Sequence, residues 1–304
     1  MRAFGRNSQP PTAIGVRHSS CTCQRNIMND TTRYVDLDEA RQQAGLRLVL
    51  LSDAPSPWSE AAKDIFTLKQ IPFVAVRYRA TDDAVRQWTG VHNAPVAVFN
   101  DQPALSHWAD ILALAERLDA RYPLIPRDFE ARTRMLGLCH EIMSVLGLVW
   151  HTRLLVLEVS FRTSGECGFP VSIAKRLSEK YGYGEQPVNA SRQRVREILG
   201  KLAELLVYNT SAGQGYILGD SPCALDIYCA AALGVMAPLP DAERPLDPRV
   251  RHMFESAAEA IRWEIPDILL VHRAFVRQQW RERSLSTHPP ALCNSLGDAG
   301  CISP

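Results

Sequence analysis

The sequence predicts a two-domain protein in which a small α/β domain precedes an all-helical domain. Three observations support this prediction. First, the chain from residue 46 reads as a strand, a turn, a helix and a second strand. Second, a proline-containing segment interrupts this pattern at 122–126. Third, the residues after that segment show only helical periodicity. With 304 residues, 46% of them hydrophobic, the chain is long enough to bury both cores.

The α/β domain is predicted over residues 45–121. An apolar run at 46–51 indicates a strand, residues 52–57 indicate a turn, and residues 58–70 have the periodicity of an amphipathic helix. A second strand at 73–78 makes this a parallel βαβ unit, which should have a right-handed crossover.

Four further elements complete this domain. We expect a helix at 82–88, a strand at 93–100, a short strand near 103–106, and a helix at 107–118 whose apolar residues recur at three- and four-residue spacing. The resulting order, βαβ-α-ββα, is that of a thioredoxin-like domain.

The helical domain is predicted over residues 122–280. Its helices are separated by turn-forming stretches, of which residues 213–222 are the richest in glycine. The predicted helices, of which the first comprises one or two, span 128–159, 170–181, 189–207, 224–236, 247–262 and 266–280.

The two ends of the chain show no hydrophobic periodicity. Residues 1–44 are predicted as a disordered leader that could include a short helix at 36–44, and residues 281–304 as a disordered tail. Residues 1–27 contain Arg and Ser and lack acids, as transit peptides do, but they show no amphipathic helix pattern. A native leader, a targeting segment and a start at Met28 are all kept as alternatives for these residues, and we expect a cytoplasmic protein.

Composition excludes several classes of function. The net charge of +1 gives neither a basic face for nucleic acid nor an acidic tail. No apolar run approaches the roughly 18 residues needed to span a bilayer, so we expect a soluble protein that does not contact a membrane. The eight cysteines include no set at zinc-ligand spacing, so we expect reduced thiols and no metal.

A Ser-Pro-Trp-Ser turn at residues 56–59 opens the first predicted helix of the α/β domain. It has the form of the active-site turn of thioredoxin-like proteins, with serine in both cysteine positions. A helix N-terminus favours a thiolate because it offers unpaired N–H groups and the positive end of the helix dipole. The Ser56 hydroxyl can donate a hydrogen bond to such a sulfur, or it can simply cap the helix.

Two further motifs join this turn in a resemblance to the cytosolic glutathione transferases. One is Ala-Pro-Val at residues 94–96. The other spans residues 219–228 and resembles a capping box. Asp226 is at the position whose side chain accepts the N–H of the N-cap residue, although that N-cap residue is Cys223 in place of Ser or Thr. The order and lengths of the two domains are also those of the family. Within that family, stretches of this sequence between residues 46 and 275 resemble a little-studied transferase-like group.

The resemblance implies a glutathione site. In the family a Ser, Tyr or Cys side chain stabilises the thiolate of glutathione, which is the role implied for Ser56. The bond before Pro95 is expected to be cis, and the main chain of Ala94 is expected to pair with the cysteinyl part of glutathione. The glutathione-binding residues implied by the resemblance are Trp58, Ala94, Pro95, His107 and Asp110.

The site for the γ-glutamyl end departs from the family pattern, in which an acid followed by Ser opens the last helix of the first domain. Counting from Pro95 places His107 and Trp108 there, whereas aligning the helix places Asp110 and Ile111 there. The second alignment has the acid of the family motif, at Asp110, but has Ile111 where the family has serine. Trp108 is expected in the core or at the domain interface.

The first hypothesis of function is an enzyme of detoxification that conjugates glutathione, as co-substrate, to an electrophilic small molecule. The resemblance also implies a homodimer. The alternative is a non-catalytic binding or interaction protein of the transferase fold with a degenerate glutathione site. A glutathione-dependent reductase or isomerase ranks last, because a reductase normally needs a cysteine at position 56 or 59.

Three polar segments lie outside these motifs. Residues 140–153, which include two histidines and Arg153, fall where the family builds its second-substrate pocket, although the polar face of a long helix is the favoured interpretation. Residues 180–184 are interpreted as a loop that follows a helix. The arginines between residues 273 and 283 are interpreted as a solvated helix face.

Overall fold

The computed structural model describes residues 34–79, 83–184 and 188–286, with side chains described as far as residue 280. Predictions for the leader before residue 34 and for the tail after residue 286 lie outside these residues. Within them the predicted fold class is confirmed, because an α/β domain is followed by a domain of helices.

A four-stranded sheet forms the centre of the first domain. Its strands are β1 (Tyr34–Val35), β2 (Leu46–Leu51), β3 (Phe73–Tyr78) and β4 (Val96–Phe99). Their order is β1-β3-β2-β4, with β1 and β2 parallel to β3 and with β4 antiparallel to β2. β2 is buried on both faces, which explains why its sequence is a nearly continuous aliphatic run. The predicted parallel βαβ unit is confirmed.

Helices cover both faces of this sheet. The shorter pair, α1 (Leu37–Gln42) and α3 (Asp83–Thr89), packs on one face over Val49 and its neighbours. The longer pair, α2 (Pro57–Leu68) and α4 (Trp108–Leu118), packs on the other face, where the even-numbered residues of β2 point. The second face is also the one that continues into the helical domain.

Two parts of the first domain differ from the sequence prediction. Tyr34–Val35, predicted within a leader, form β1, which pairs with Ala75 and Val76 of β3, whereas the short helix considered at 36–44 is present as α1. The strand expected near 103–106 is reduced to one bridge between Ala97 and Leu105. Pro103 has no N–H to offer a strand ladder, which limits the pairing there.

The second domain is built around one apolar helix. Its helices are α5 (Phe129–Met143), α6 (Leu148–Arg162), α7 (Val171–Tyr181), α8 (Val188–Ser211), α9 (Ala224–Met236), α10 (Pro248–Ile261) and α11 (Asp267–Ser286). α9 is buried around nearly its whole circumference and packs against α2, α5 and α11. The core is therefore continuous from the sheet into the helical domain.

The helical stretch Phe129–Arg162 is long and apolar enough to meet a length-and-hydropathy criterion for a membrane span. The expectation that no apolar stretch reaches this length is therefore corrected. However, 67% of its most apolar window is buried inside the protein. The stretch is also two helices, because residues 144–147 interrupt it. Its hydrophobicity is explained by its place in the core.

Asp226, in the first turn of α9, is the acceptor predicted from the capping motif. Its Oδ2 accepts the N–H of Cys223 at 2.9 Å, as an acid three residues after the cap should. Its Oδ1 accepts the N–H of Ile217 at 3.1 Å and lies 2.9 Å from His272 Nε2. His272 belongs to α11, which no local motif indicated. The buried carboxylate thus joins three separate segments.

A buried lysine fastens the linker between the two domains. Lys69 is fully buried, and its Nζ donates to Glu116 Oε1 and to the carbonyl of Tyr122, both at 2.7 Å. Glu116 Oε1 also accepts the N–H of Leu124 at 3.0 Å, and the carbonyl of Leu124 accepts the N–H of Ala224 at 2.9 Å. The linker is therefore tied to the first domain and to the start of α9.

The break between α5 and α6 depends on a glycine. Gly147 is the N-cap of α6, and a Cβ placed on it would lie 2.6 Å from the carbonyl oxygen of Glu141. Gly137, inside α5, has no atom within 4 Å of such a Cβ. One glycine therefore permits a close backbone approach, whereas the other lies on an open helix surface.

We expect Gly147→Ala to lower the free energy of unfolding by about 2 kcal/mol or more, because the backbone around Glu141 must move. Gly137→Ala is the matched control and should raise it by about 0.5–1 kcal/mol, because alanine is the better helix former. Urea denaturation followed by far-ultraviolet circular dichroism measures both changes. Similar effects of the two substitutions would contradict the role given to Gly147.

Candidate active site

The turn after β2 brings Ser56 to the N-terminus of α2. Pro57, the first helical residue, has no N–H, and the N–H of Glu60 donates to the carbonyl of Ser56 at 2.9 Å. The amides of Trp58 and Ser59 are consequently the donors of the first turn that have no intrahelical acceptor. They lie at the positive end of the helix dipole, where an anion is stabilised.

The two serines of this turn have different environments. Ser59 Oγ accepts the N–H of Leu51 at 3.2 Å, so Ser59 attaches the helix to the end of β2. Ser56 occupies the N-cap position, but its side chain makes no capping hydrogen bond. Although Ser56 is only 5% exposed, its hydroxyl has no hydrogen-bond partner among the described residues. The geometry therefore contradicts the capping alternative.

The Ala94–Pro95 peptide bond is cis, as the resemblance implies. β4 begins at the next residue, and its first residue, Val96, pairs with Val49 two residues before the end of β2, so this bond lies at the same sheet edge as the Ser56 turn. Pro95, Trp58 and Ser106 line one small pocket at this edge. Of the residues that the sequence assigned to glutathione, Trp58 and Pro95 thus share a lining with Ser106, whereas His107 and Asp110 are not part of it.

Two indole groups attach this edge to the helical domain. Trp58 Nε1–H donates to the carbonyl of Met143 at 2.7 Å, and Trp108 Nε1–H donates to Ser144 Oγ at 2.8 Å. Both acceptors lie at the C-terminal end of α5, and Ser144 Oγ is also 2.9 Å from His140 Nδ1. Trp108 is at the domain interface, as expected. The polar edge of Trp58 is occupied by the protein, so a ligand can meet only its ring.

The two candidates for the γ-glutamyl site are both exposed. His107 is the N-cap of α4, and its Nδ1 accepts the N–H of Ala109 at 3.3 Å. Asp110 is in the first turn of α4, whereas Ile111 beside it is buried in the core. The residue that follows the acid is therefore apolar and offers a ligand no hydrogen bond. Ser106, which precedes His107 and which no motif indicated, supplies a hydroxyl at this end of the helix.

None of the described cysteines is placed as a nucleophile. Cys139, Cys167, Cys223 and Cys229 are all free. Burial raises the pKa of the Cys139 and Cys223 thiols, and it raises that of Cys229 to about 12. These buried thiols are inert, as expected for reduced structural cysteines. The part of the chain that the structure describes holds no group of three His, Cys, Asp or Glu side chains arranged as metal ligands.

A charged cluster connects α2 to the segment before α10. Glu60 forms ion pairs with Lys63 at 3.1 Å and with Arg244 at 2.6 Å. Asp64 is half-buried, and the loss of hydration raises its pKa to about 6, with Lys63 opposing the shift and Glu60 adding to it. The helix that presents Ser56 therefore carries a carboxyl group that titrates not far below neutral pH.

Two polar groups that were expected to be solvated are buried instead. His151 is 4% exposed, its Nδ1 lies 3.1 Å from Ser191 Oγ, and burial lowers its pKa. Arg273 is partly buried, and it donates to the carbonyls of Leu233 at 3.1 Å and Ala237 at 2.6 Å. The interpretations as polar or solvated faces are therefore wrong at these two positions. For Arg273 the reason is that the last carbonyls of α9 need hydrogen-bond donors from outside that helix.

The segment interpreted as a loop after a helix also reaches this edge. Residues 182–184 do leave the helix, and Gly182 caps α7 in the left-handed region at φ 63°. Tyr181, however, is buried, and its ring stacks on Trp58 at 6.3 Å between centroids. Trp150 meets the same ring edge-on at 4.8 Å. α6 and α7 thus contribute an aromatic wall beside the Ser56 turn.

This fold is that of the glutathione transferases. It matches the structure of a glutathione transferase family member from Pseudomonas fluorescens, which has two glutathione bound, with a TM-score of 0.52. The match covers 79% of this chain and 92% of that chain at 15% sequence identity. At this level of identity the likeness shows the fold alone.

Two further matching structures have lower TM-scores. A Tau class transferase from mango, Mangifera indica, has a TM-score of 0.47 and 15% identity over 77% of this chain and 98% of that chain. A transferase from Methylobacterium radiotolerans in complex with glutathione sulfonate has a TM-score of 0.45 and 20% identity over 72% of this chain and 91% of that chain. No family model matches the sequence, and no curated protein matches it.

We expect stability to fall as Asp64 ionises. Its folded-state pKa of about 6 lies above the ordinary 3.8, so the folded protein binds this proton more tightly than the unfolded chain. The carboxyl group therefore destabilises the fold progressively as pH rises from about 4 to about 6. Asp64→Asn should raise the free energy of unfolding at pH 7 by on the order of 1 kcal/mol, since partial exposure screens the charge.

Urea denaturation of both proteins at pH 7 and near pH 4 tests this expectation. The difference between wild type and Asp64→Asn should shrink at the lower pH, where the carboxyl group is protonated in the folded protein and about half protonated in the unfolded chain. Asp101→Asn, which removes an exposed carboxylate from the turn after β4, is the control and should have little effect at either pH. A difference that is equal at the two pH values would show that ionisation is not its cause.

Proposed function

We propose that this protein is a glutathione transferase that conjugates glutathione to an electrophilic small molecule. The observation that carries the proposal is the Ser56 hydroxyl at the N-terminus of α2, which belongs to a mostly buried residue, has no hydrogen-bond partner among the described residues and is not itself fully buried, so a ligand can reach it. The cis Ala94–Pro95 bond at the same sheet edge and the transferase fold support it.

In the proposed reaction the protein lowers the pKa of the glutathione thiol. The thiolate accepts a hydrogen bond from Ser56 Oγ–H and lies near the free amides of Trp58 and Ser59, at the positive end of the α2 dipole. The thiol proton passes to solvent. The sulfur then attacks the electrophilic carbon, and a C–S bond forms as the leaving group departs with its electron pair.

The remaining contacts with glutathione follow the same edge. The main-chain N–H and C=O of Ala94 would pair with the cysteinyl part of the peptide, and the Trp58 ring and Pro95 would flank it. Asp110 suits the γ-glutamyl ammonium by charge, and His107 suits the neighbouring carboxylate when it is protonated. We further propose that the enzyme is a cytoplasmic homodimer that acts in detoxification.

A non-catalytic binding protein of the same fold is the second candidate. The start of α4 favours it, because Ile111 follows Asp110 and is buried, so the acid lacks a neighbouring serine that could help to hold the γ-glutamyl end. Such a protein would not be retained on immobilised glutathione, and it would show no glutathione-dependent turnover.

We expect the wild-type protein to bind immobilised glutathione and to conjugate a general electrophile such as 1-chloro-2,4-dinitrobenzene. Ser56→Ala should lower kcat/KM about 10- to 100-fold, the effect of one hydrogen bond to a charged sulfur. It should also move the midpoint of the pH profile of kcat/KM upward, because the thiolate loses a donor. The melting temperature should not change, since Ser56 makes no capping bond.

Ser59→Ala is the matched control from the same turn. It leaves the N–H of Leu51 without its acceptor and should cost about 1 kcal/mol of stability while the pH midpoint stays the same. A rate that Ser56→Ala leaves unchanged would remove Ser56 from the proposed role. Wild-type protein that neither binds glutathione nor turns over would favour the binding protein instead.

A further inference from the structure

Three cations gather where α6 and α7 meet, and they are called the cation cluster below. Arg153 belongs to α6, whereas Arg176 and Lys180 belong to α7. The guanidinium of Arg153 and the ammonium of Lys180 lie over the same ring, that of Tyr181, at 5.9 and 5.8 Å. Although the Lys180 side chain as a whole is exposed, partial desolvation of its ammonium and the charges of Arg153 and Arg176 lower its pKa.

The cation cluster has no acidic partner in the part of the chain that the structure describes. The guanidinium of Arg153 lies over the ring of Phe169 at 5.0 Å and over that of Tyr181 at 5.9 Å, and it has no hydrogen-bonded acceptor there. Lys180 Nζ donates to Asn93 Oδ1 at 2.8 Å. Among the other partly buried arginines, Arg194, Arg244 and Arg251 have carboxylate partners, whereas Arg192 and Arg273 donate to backbone carbonyls.

The cation cluster is joined to the candidate active site on two sides. Asn93, the partner of Lys180, immediately precedes the cis Ala94–Pro95 bond. Tyr181, which lies under both Arg153 and Lys180, stacks on Trp58 at an interplanar angle of 26°. The cluster therefore lies next to the place where the glutathione sulfur is proposed to react.

We propose that the cation cluster binds the carboxylate of the electrophilic second substrate, which orients a flat, unsaturated body against Trp58 and Trp150. This inference rests on the proposed function. A guanidinium fixed between aromatic rings keeps its N–H edge for a carboxylate, which it can bind with two parallel hydrogen bonds. The half-buried Trp58 and Trp150 rings offer planar contact to a conjugated or aromatic substrate.

A matched pair of probes separates the charge from the rest of the substrate. In 4-chloro-3,5-dinitrobenzoate the glutathione sulfur forms a C–S bond at the carbon that carries chlorine, and chloride leaves with the bonding electrons. The carboxylate lies on the opposite side of the ring and is unchanged by the reaction. The methyl ester presents the same reacting centre without the charge, so each variant is compared with wild type on each probe separately.

We expect Arg153→Met to raise the KM for the benzoate about tenfold and the KM for its ester less than about twofold, as the loss of a charge-assisted hydrogen bond predicts. Arg153→Lys should bind the benzoate better than Arg153→Met, since lysine keeps the positive charge but lacks the paired N–H groups of a guanidinium. Lys180→Met should act in the same direction as Arg153→Met. Lys175→Met removes one exposed charge from α7 and should change neither KM.

Glutathione also carries carboxylates, so its own KM is measured in each variant. A rise in the glutathione KM with an unchanged benzoate KM would assign the cation cluster to the peptide and overturn the proposal. Equal changes for the acid and the ester would also overturn it, because they would reflect a loss of packing. The melting temperature of each variant identifies one that fails to fold, and in that case the Lys180→Met result decides.

Direct binding keeps this inference separate from the proposed function. Quenching of tryptophan fluorescence by 3,5-dinitrobenzoate and by its methyl ester is measured without glutathione. If no turnover occurs with either probe, wild-type protein that binds the acid about tenfold more tightly than the ester still supports the anion site. Equal affinities of the acid and the ester, or an acid affinity that Arg153→Met leaves unchanged, would overturn it.

Discussion

The burial of α2 between the sheet and the helical domain is the constraint on which the rest of the structure depends. α2 packs against β2, α4, α9 and α11, and its small and aliphatic residues are buried along most of its length. Because protein interiors are close-packed, α2 cannot move without opening the core of both domains. The position of Ser56 at its N-terminus is therefore determined by the two domains together.

Buried polar groups make this packing specific. The indoles of Trp58 and Trp108 donate to the end of α5, Lys69 holds the linker, and Asp226 joins α9 to α11. Each of these groups would be costly to bury without its partner, so the two domains fit in one arrangement. Ser56 differs from these groups, because its hydroxyl has no partner among the described residues and, although the residue is 5% exposed, the oxygen is not among the fully buried unsatisfied atoms.

The sequence predicted most of the fold because the relevant patterns are local. Apolar runs marked β2 and β3, helical periodicity marked α2 and α4, and the motif around Asp226 indicated the start of α9. The shortest pairings did not follow from such patterns. β1 is too short to show a period, and the strand near Pro103 was expected at a place where the chain forms only one bridge.

The sequence by itself determined that a serine begins the first long helix of an α/β domain and that a proline segment lies at the same sheet edge. These follow from turn residues, proline and periodicity, which are properties of neighbouring positions. Only the tertiary structure decided which serine is structural, and which cations lie beside the Ser56 turn. Those outcomes depend on contacts between distant parts of the chain, such as Trp58 with Met143 and Lys180 with Asn93, and such contacts form only when the elements pack.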